Sequence, residues 1–176
     1  MLHKSAPCLR LYNIYNMQTF LPYKDFKESL NVLDNKRLGK QRSETYHILN
    51  ILLERTDKKG YANHPIVNMW RGYETALQEY FNINTELWLL RGFRHTMGYE
   101  IIEGEVTYPN WLGNSRFHTS HRSNLLRKDI KHYSRFGWVE NQDIPYVWLD
   151  TDKSQWFFIH PLTKKRKYIN NGGTYV

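Results

Sequence analysis

Leu33-Asp34-Asn35-Lys36-Arg37-Leu38-Gly39-Lys40-Gln41-Arg42-Ser43-Glu44 is the stretch around which the chain is organised, and it directly precedes a largely apolar run over 48–53. It combines four cations with two carboxylates. At 3.6 residues per turn, one side of a helix would carry Asp34, Arg37, Gln41 and Glu44. A solvated charged helix and a polar functional face both fit this pattern, because side-chain pairs three or four residues apart stabilise an exposed helix by only about 0.2–0.5 kcal/mol.

The composition predicts one folded domain that binds a polyanion. The chain has 176 residues, of which 40% are hydrophobic and 15% aromatic, enough to bury a core. Lys and Arg total 25 against 17 Asp and Glu, which gives a net charge of +8. Such a chain suits nucleic acid, because phosphates bind Lys and Arg while Trp and Tyr rings stack on exposed bases. A generically basic surface is the alternative.

Cysteine content and hydropathy exclude several other classes of protein. Cys8 is the only cysteine, which rules out an intramolecular disulfide and a multi-cysteine zinc site. The sequence contains no apolar run long enough to cross a membrane, and residues 1–16 lack the apolar core of a signal peptide. We therefore expect an intracellular protein of the cytoplasm or nucleoid, in a cell or, if the chain is virus-encoded, in an infected one.

Apolar spacing and capping residues predict four helices. A short helix begins at Asp25, and a second one covers about 35–56. Within that second helix Gly39 costs about 1 kcal/mol relative to alanine, which is tolerable if something approaches the backbone closely. A third, continuous helix is predicted over 64–92, with proline in its first turn, and a fourth over about 120–135.

The rest of the chain predicts a loop and a strand pair. Gly, Pro, Asn and Trp concentrate over 98–117, which is typical of a long ordered loop. The aromatic run over 156–159 and residues 164–169 flank a turn. The predicted fold class is mainly α, a compact single-domain helical bundle with a long ordered loop and a C-terminal β-hairpin. The predicted parts are an extension over 1–16, a helical domain over 17–148 and a basic, aromatic tail over 149–176.

A second polar cluster, from His118 to Asp129, fits the start of a phosphate-binding helix. Free N–H groups and cations at a helix start hold phosphate oxygens, and this cluster offers Ser120, Arg122, Asn124 and Arg127. His118 and His121 have metal-ligand spacing, but no cysteine or carboxylate completes a site, so no metal is predicted. A purely structural role for His118 is the alternative.

Four motifs in a fixed order give the chain a family resemblance. They are Met17-Gln18-Thr19-Phe20-Leu21-Pro22, Leu33-Asp34 with 37–44, His64-Pro65 with 69–74, and His118 with 120–129. Over about 17–148 the chain resembles the pyrimidine-dimer DNA glycosylase family. This family is related to the phage repair enzyme endonuclease V, and the chain is closer to the family's uncharacterised branch. The resemblance implies a mainly helical monomer that acts on double-stranded DNA with a base lesion, without a cofactor or a metal.

The resemblance also implies a mechanism in which a damaged pyrimidine is excised and the strand is cut at the abasic site. In the characterised relative an N-terminal α-amine attacks the sugar C1′ and forms a Schiff base, assisted by a glutamate on the first long helix. An ungapped comparison places Met17 near the position of that amine and Leu38 near the glutamate. A chain that begins at Met17 would keep its methionine, because Gln18 is large, so we predict that the nucleophile is the Met17 amine.

Two catalytic assignments therefore stay open in the sequence. If the chain does not begin at Met17, Lys40 is the best substitute nucleophile, since Arg37 and Arg42 would lower its pKa. Because Leu38 occupies the position of the glutamate, either Asp34 or Glu44 must supply the carboxylate.

The remaining motif residues are predicted to contact DNA. They are Arg37, Gln41, Arg42, His64, Trp70, Arg71, His118, Ser120, His121, Arg122, Asn124, Arg127 and Lys128. Trp70 also fits a core position for a bulky aromatic side chain. The alternative hypothesis to a glycosylase is a non-catalytic module that binds damaged or modified DNA. A metal-dependent nuclease is the third hypothesis.

Overall fold

A computed structural model describes residues 17–57 and 60–170. Those residues form six α-helices, one short 3-10 helix and a three-stranded antiparallel sheet. The mainly α prediction is confirmed at this level. Cys8 and the predicted extension over 1–16 lie outside the described residues, as does the end of the predicted tail, over 171–176.

The first two helices begin at the predicted aspartates. Helix α1 covers Phe26–Asn31, and Asp25 accepts a hydrogen bond from the backbone N–H of Glu28 at 2.8 Å. Helix α2 covers Asn35–Leu52, and Asp34 accepts one from the backbone N–H of Arg37 at 3.0 Å. Each carboxylate satisfies a backbone donor that the helix leaves free. Helix α2 ends earlier than predicted.

The prediction of one continuous third helix was wrong. Helix α3 covers Pro65–Trp70 and helix α4 covers Glu74–Leu90, and residues 71–73 separate them. Gly72 has a φ of 85°, in the left-handed region that glycine adopts without strain. The apolar period continues across this break because both helices bury side chains in the same core.

The predicted fourth helix begins earlier and is divided in two. Helix α5 covers Ser115–Lys128, capped by the Asn114 side chain, so the irregular stretch ends sooner than the predicted loop. Helix α6 covers Ile130–Tyr133, and a 3-10 helix covers Ser134–Phe136. Asp129 separates α5 from α6, because its extended φ of −159° interrupts the helix while its carboxylate caps the next one.

The C-terminal part forms a small antiparallel sheet in sequential strand order. Its strands are β1 Val147–Asp150, β2 Gln155–Ile159 and β3 Arg166–Tyr168. Strands β2 and β3 confirm the predicted hairpin, whereas β1 was not predicted. Val147 pairs with Phe158, and both are buried in the same hydrophobic core as the helices. The sheet therefore packs onto the helical part.

The core is rich in aromatic residues from several helices. Its largest fully buried side chains include Trp70, Tyr80, Phe81, Phe117 and Tyr133. Trp70 and Trp111 meet edge to face with ring centroids 5.1 Å apart, a favoured geometry for aromatic pairs. Within the described ranges no helix has the length and apolar character that a membrane span requires.

Candidate functional site

Residues 17–22 form an irregular segment that is buried along its whole length. Met17 is 6% exposed, and Gln18, Thr19 and Leu21 are fully buried. A buried segment outside a helix or sheet needs other partners for its backbone N–H and C=O groups. We call it the 17–22 segment, and side chains from three helices provide those partners.

Gln41 of α2 binds the first half of the 17–22 segment. Its Nε2 donates to the carbonyl oxygen of Gln18 at 2.7 Å and to Glu44 Oε2 at 3.0 Å. Its Oε1 accepts from the backbone N–H of Phe20 at 2.7 Å and lies 2.9 Å from the hydroxyl of Tyr80. Gln41 is fully buried, and these contacts satisfy both ends of its amide.

His118 and His121 of α5 hold the two peptide groups of Leu21. His118 Nδ1 donates to the carbonyl oxygen of Leu21 at 2.7 Å, and its Nε2 accepts from the backbone N–H of Gly113 at 3.0 Å. His121 Nδ1 accepts from the backbone N–H of Leu21 at 3.1 Å. Burial lowers the pKa of both histidines, so both rings are neutral and act as oriented hydrogen-bond partners.

Three more side chains complete the anchoring of the 17–22 segment. Trp70 Nε1 donates to Thr19 Oγ1 at 3.0 Å, and the Tyr80 hydroxyl donates to the carbonyl oxygen of Phe20 at 3.0 Å. Arg122 Nη1 donates to the carbonyl oxygen of Pro22 at 2.6 Å. Motifs that are far apart in the sequence thus converge on one segment that begins at Met17.

Glu44 lies at the Met17 end of this segment. Its carboxylate accepts a hydrogen bond from the backbone N–H of Gln18, binds Gln41, and forms an ion pair with Lys40 at 3.4 Å. The Glu44 side chain is 16% exposed. Burial raises its pKa to about 6, although Lys40, the Gln18 N–H and Lys128 act in the opposite direction. A carboxyl with such a pKa can exchange a proton near neutral pH.

Lys40 contacts this carboxylate, and the positive charge of a second lysine, Lys128, also acts on it. The Lys40 side chain is 53% exposed, and Lys128 is an exposed residue at the end of α5. Desolvation by the surrounding protein lowers the pKa of Lys128, and the positive charges of Lys40, Arg127 and Arg37 lower it further. We call the group of Met17, Lys40, Gln41, Glu44 and Lys128 the Glu44 site. It joins an unusual carboxyl group to two amines at the surface.

Asp34, the other candidate carboxylate, has a different role at the start of α2. The hydroxyl of Tyr133 donates to it at 2.6 Å, and the Arg37 guanidinium lies 3.2 Å away. Burial alone would raise the pKa of Asp34, but the hydrogen bonds from Tyr133 and the Arg37 backbone, with the charges of Arg37 and His132, lower it. Asp34 is therefore ionised and occupied with joining α2 to α6.

Two other predicted residues of α2, Arg37 and Arg42, bind groups other than Glu44. Arg37 Nη2 donates to the carbonyl oxygen of Lys128 at 3.2 Å. Arg42 Nη1 donates to His95 Nδ1 at 2.6 Å, and its guanidinium lies 4.8 Å from the centre of the Trp88 ring. A Cβ at Gly39 would lie 2.9 Å from the Trp88 side chain. The group that approaches the backbone closely at Gly39 is therefore the Trp88 ring.

The predicted residues around α3 have mixed environments. His64 caps this helix, because its Nδ1 accepts from the backbone N–H of Ile66 at 3.2 Å, and it is 4% exposed. Trp70 is fully buried, in agreement with its alternative reading as a core residue. Arg71 is exposed.

The polar cluster of α5 is largely an internal network. Ser120 Oγ donates to the carbonyl oxygen of Phe117 at 2.7 Å, and Asn124 Nδ2 donates to that of Ile144 at 3.0 Å. Arg122 Nε forms an ion pair with Glu140 at 2.5 Å, and Arg127 Nη1 donates to the carbonyl oxygen of Gln142 at 2.5 Å. These bonds attach the loop before β1 to α5. A role of these side chains in DNA binding stays a prediction.

Three tyrosines near these groups were not predicted. Tyr80 and Tyr133 donate the hydrogen bonds described above, and Tyr146 is buried against Phe20 and His121. The Tyr146 hydroxyl has no hydrogen-bond partner among residues 17–57 and 60–170. Burial raises its pKa, and the negative charge of Glu44 raises it further. Tyr133 lies among polar and charged residues and Tyr146 among apolar ones, and neither surrounding indicates these contacts.

Comparison with known proteins gives one match. Residues 17–101 match the family model described as pyrimidine dimer DNA glycosylase. The match confirms the family resemblance and includes the 17–22 segment, all of α2 and Glu44, whereas α5 lies beyond it. No curated protein and no solved structure matches the chain.

Proposed function

We propose, from the match of residues 17–101 to the pyrimidine dimer DNA glycosylase family model, that the chain excises a damaged pyrimidine from double-stranded DNA and then cuts the strand at the abasic site. The observation that carries the proposal is the position of Glu44. Its partly buried carboxyl group, with a pKa raised to about 6, lies next to the Met17 end of the 17–22 segment and pairs with Lys40.

The nucleophile in this proposal is the α-amine of Met17, in a form of the chain that begins there. The family match starts at this residue. An α-amine has a pKa of about 8, so a useful fraction is neutral at working pH and can attack a sugar carbon. Because the next backbone N–H, that of Gln18, donates to Glu44, the amine and the carboxylate would be neighbours.

The chemistry then uses Glu44 in its ionised form. The amine attacks C1′, the bond from C1′ to the base breaks, and the base leaves with the bond electrons. Glu44 stabilises the positive charge that develops on the sugar and accepts a proton from the attacking amine. The sugar ring then opens, as the C1′–O4′ bond breaks and O4′ takes the proton from Glu44, which gives the Schiff base. Loss of a proton from C2′ breaks the C3′–O3′ bond and cuts the strand, and water finally hydrolyses the imine and restores the amine.

The anchoring of the 17–22 segment supports this proposal physically. An amine held in one position relative to the sugar reacts faster than one on a mobile chain, because its orientational entropy is already lost. Gln41, His118 and His121 each bind this segment at 3.1 Å or less. We propose that these three are positioning residues for the Met17 amine and do not read the DNA.

Exposed cations near the site would hold the DNA backbone. We propose Lys40, Arg71, Arg127 and Lys128 as phosphate contacts, since each is exposed. The pyrimidine dimer is the lesion that the family description names. We propose that the protein acts as a monomer.

Borohydride trapping tests this function. The N-terminal mass of the purified protein is determined first, and the protein is then incubated with borohydride and a duplex that contains a pyrimidine dimer. We expect a covalent protein–DNA adduct whose modified peptide carries DNA on the Met17 amine. Absence of an adduct from a protein that begins at Met17, both on this duplex and on one with an abasic site, would reject the Schiff-base mechanism.

A non-catalytic module that binds damaged DNA is the second candidate, and Leu38 favours it. By ungapped comparison Leu38 stands near the position of the family glutamate, and it is fully buried. In that case the dimer-containing duplex would bind more tightly than an undamaged one, without base release and without an adduct.

A further inference from the structure

Strand β3 is an edge of the small sheet and carries a run of cations. Within the described residues it pairs with β2 alone, and Lys165, Arg166 and Lys167 are exposed. Lys164 precedes them in the sequence. The strand lies outside residues 17–101, which match the family model, and it contributes no residue to the Glu44 site. The proposed function therefore gives these cations no role.

Arg166 is held in place by two aromatic residues and one carboxylate. Its guanidinium lies 4.7 Å from the centre of the Phe157 ring, and its Nη1 lies 3.6 Å from Asp150 Oδ2. The Tyr168 hydroxyl donates a hydrogen bond to the same oxygen at 2.6 Å. Because the Arg166 side chain is still 44% exposed, a ligand in solution can reach this fixed cation.

Lys153, in the turn between β1 and β2, joins the same group of side chains. Its Nζ donates to the Tyr168 hydroxyl at 3.0 Å and lies 4.4 Å from the centre of that ring. Its backbone N–H donates to Asp150 Oδ1 at 3.2 Å. Two exposed cations from different parts of the sheet therefore converge on one carboxylate. Side chains that are already fixed lose less conformational entropy when they bind a ligand.

The positive charge of this region exceeds what its carboxylates balance. Residues 147–170 contain five Lys and Arg against two carboxylates, Asp150 and Asp152, so they hold three of the eight net positive charges of the chain. Among the described residues, neither Lys165 nor Lys167 forms an ion pair. Lysines on an edge strand also keep other chains from pairing with it, but that role requires no fixed cation on the neighbouring turn.

We propose that Lys153, Lys165, Arg166 and Lys167 form a second DNA-binding surface, the β3 edge, which holds the sugar–phosphate backbone of a duplex outside the Glu44 site. The inference rests on the proposed function for its ligand, double-stranded DNA. Side chains two residues apart in an extended strand are about 7 Å apart, and phosphates follow at about 3.4 Å per strand along the duplex axis. Lys165 and Lys167 can therefore contact separate phosphates of one backbone.

The β3 edge should bind damaged and undamaged DNA equally. Attraction between cations and phosphates carries no direct information about the bases. Contacts of this kind raise the affinity for any duplex and let a protein slide along it. They would therefore help the protein to find a rare lesion, whereas the Glu44 site would act on that lesion.

The test measures binding of the purified protein to an undamaged duplex over a range of salt concentrations. Lys165→Gln combined with Lys167→Gln removes two exposed charges. We expect the slope of log Kobs against log salt to fall by about 1.8, and the affinity at about 0.1 M salt to fall at least about tenfold. Lys165→Arg combined with Lys167→Arg keeps the charges and should bind like the wild type.

Lys24→Gln combined with Lys27→Gln is the matched control, because both lysines are exposed and the net charge falls by the same amount. This control should weaken binding by less than about threefold, since only long-range attraction changes. Equal losses in the two glutamine variants would mean that net charge alone acts, and would overturn the inference. Unchanged DNA binding of the β3 edge variant would also overturn it, and lost binding to vesicles of anionic phospholipid would then assign the surface to a membrane.

Base release separates this inference from the proposed function. At saturating protein, in the form that begins at Met17, the β3 edge variant should release the base from dimer-containing DNA at the wild-type rate, because the Glu44 site is unaltered. A slower rate would place these lysines at the reacting DNA and contradict a separate surface. If the wild type binds DNA through the β3 edge but releases no base, the proposed function falls and this inference stands.

Discussion

The two carboxylates on the polar face of α2 lie in opposite environments. Asp34, at the start of the helix, accepts hydrogen bonds from the Tyr133 hydroxyl and the Arg37 backbone, and its pKa is lowered. Glu44, farther along the same helix, has its pKa raised to about 6. Burial raises the pKa at both positions, and the hydrogen bonds outweigh it at Asp34 alone.

This difference separates a structural carboxylate from a reactive one. A carboxylate that accepts several hydrogen bonds is stabilised as an anion, and moving its proton or its charge would break those bonds. At Glu44 the donors Gln18, Gln41 and Lys40 do not outweigh desolvation, so this carboxyl changes its protonation state near neutral pH. Of the two, Glu44 is therefore the candidate for catalysis, and Asp34 stabilises the fold.

The largest expected change in stability follows from removing the structural carboxylate. Asp34→Ala removes a helix cap, worth about 1 kcal/mol, and leaves the buried Tyr133 hydroxyl without its acceptor, which adds about 1–3 kcal/mol. Urea denaturation should show a loss of about 2–4 kcal/mol. Asp25→Ala is the matched control, because Asp25 caps α1 in an exposed position and should cost only about 1 kcal/mol. Equal losses would contradict the role of Tyr133.

The reactive carboxylate should have the opposite effect on stability. Since the pKa of Glu44 rises from 4.5 to about 6 on folding, its protonated form stabilises the protein below about pH 4.5, and this contribution is lost as the pH rises through 6. Glu44→Gln mimics the protonated form. We expect this variant to be more stable than the wild type at pH 7.5, by up to about 2 kcal/mol.

The pH dependence provides the check. Urea denaturation of Glu44→Gln and wild type at several pH values should show the difference shrink as the pH falls, and vanish below about pH 4.5. Asp34 has a lowered pKa, so its contribution is present above its usual pKa of 3.8 and is lost as the pH falls. A Glu44→Gln variant that is less stable than the wild type at pH 7.5 would contradict the raised pKa.

The smallest expected effect concerns Gly39, which lies between the two carboxylates in the sequence. Alanine improves helix propensity by about 1 kcal/mol, but its Cβ would lie 2.9 Å from the Trp88 ring. Overpacking costs about 1–3 kcal/mol, so Gly39→Ala should destabilise the protein by about 1 kcal/mol in thermal or urea unfolding. In the background of Trp88→Leu the same change should become stabilising. A stabilising Gly39→Ala in the wild type would mean that Trp88 does not require this glycine.

The sequence predicted features of the fold that depend on neighbouring residues. The caps at Asp25 and Asp34 are confirmed, because a capping carboxylate binds backbone only three residues away. The break at Gly72 was missed because the apolar period continues through it. Strand β1 was missed because a four-residue strand has a weak pattern of its own and depends on pairing with β2.

The candidate site was harder to predict because its chemistry depends on distant partners. The different environments of Asp34 and Glu44 depend on Tyr133 and on the buried 17–22 segment, which no spacing rule places there. The sequence placed His118 and the polar residues after it near a helix start. Helix α5 begins at Ser115, and His118, Ser120, His121 and Asn124 are buried in the protein, where His118 binds Leu21.

The central claim is that Glu44, and not Asp34, is the catalytic carboxylate. The most direct measurement is the single-turnover rate of base release from one dimer-containing duplex by Glu44→Gln and by Asp34→Asn, at pH 7.5 and saturating protein. We predict that Glu44→Gln slows base release by about 10²–10⁴-fold with unchanged DNA affinity, and that Asp34→Asn slows it by less than about tenfold. A larger loss in Asp34→Asn than in Glu44→Gln would contradict the account.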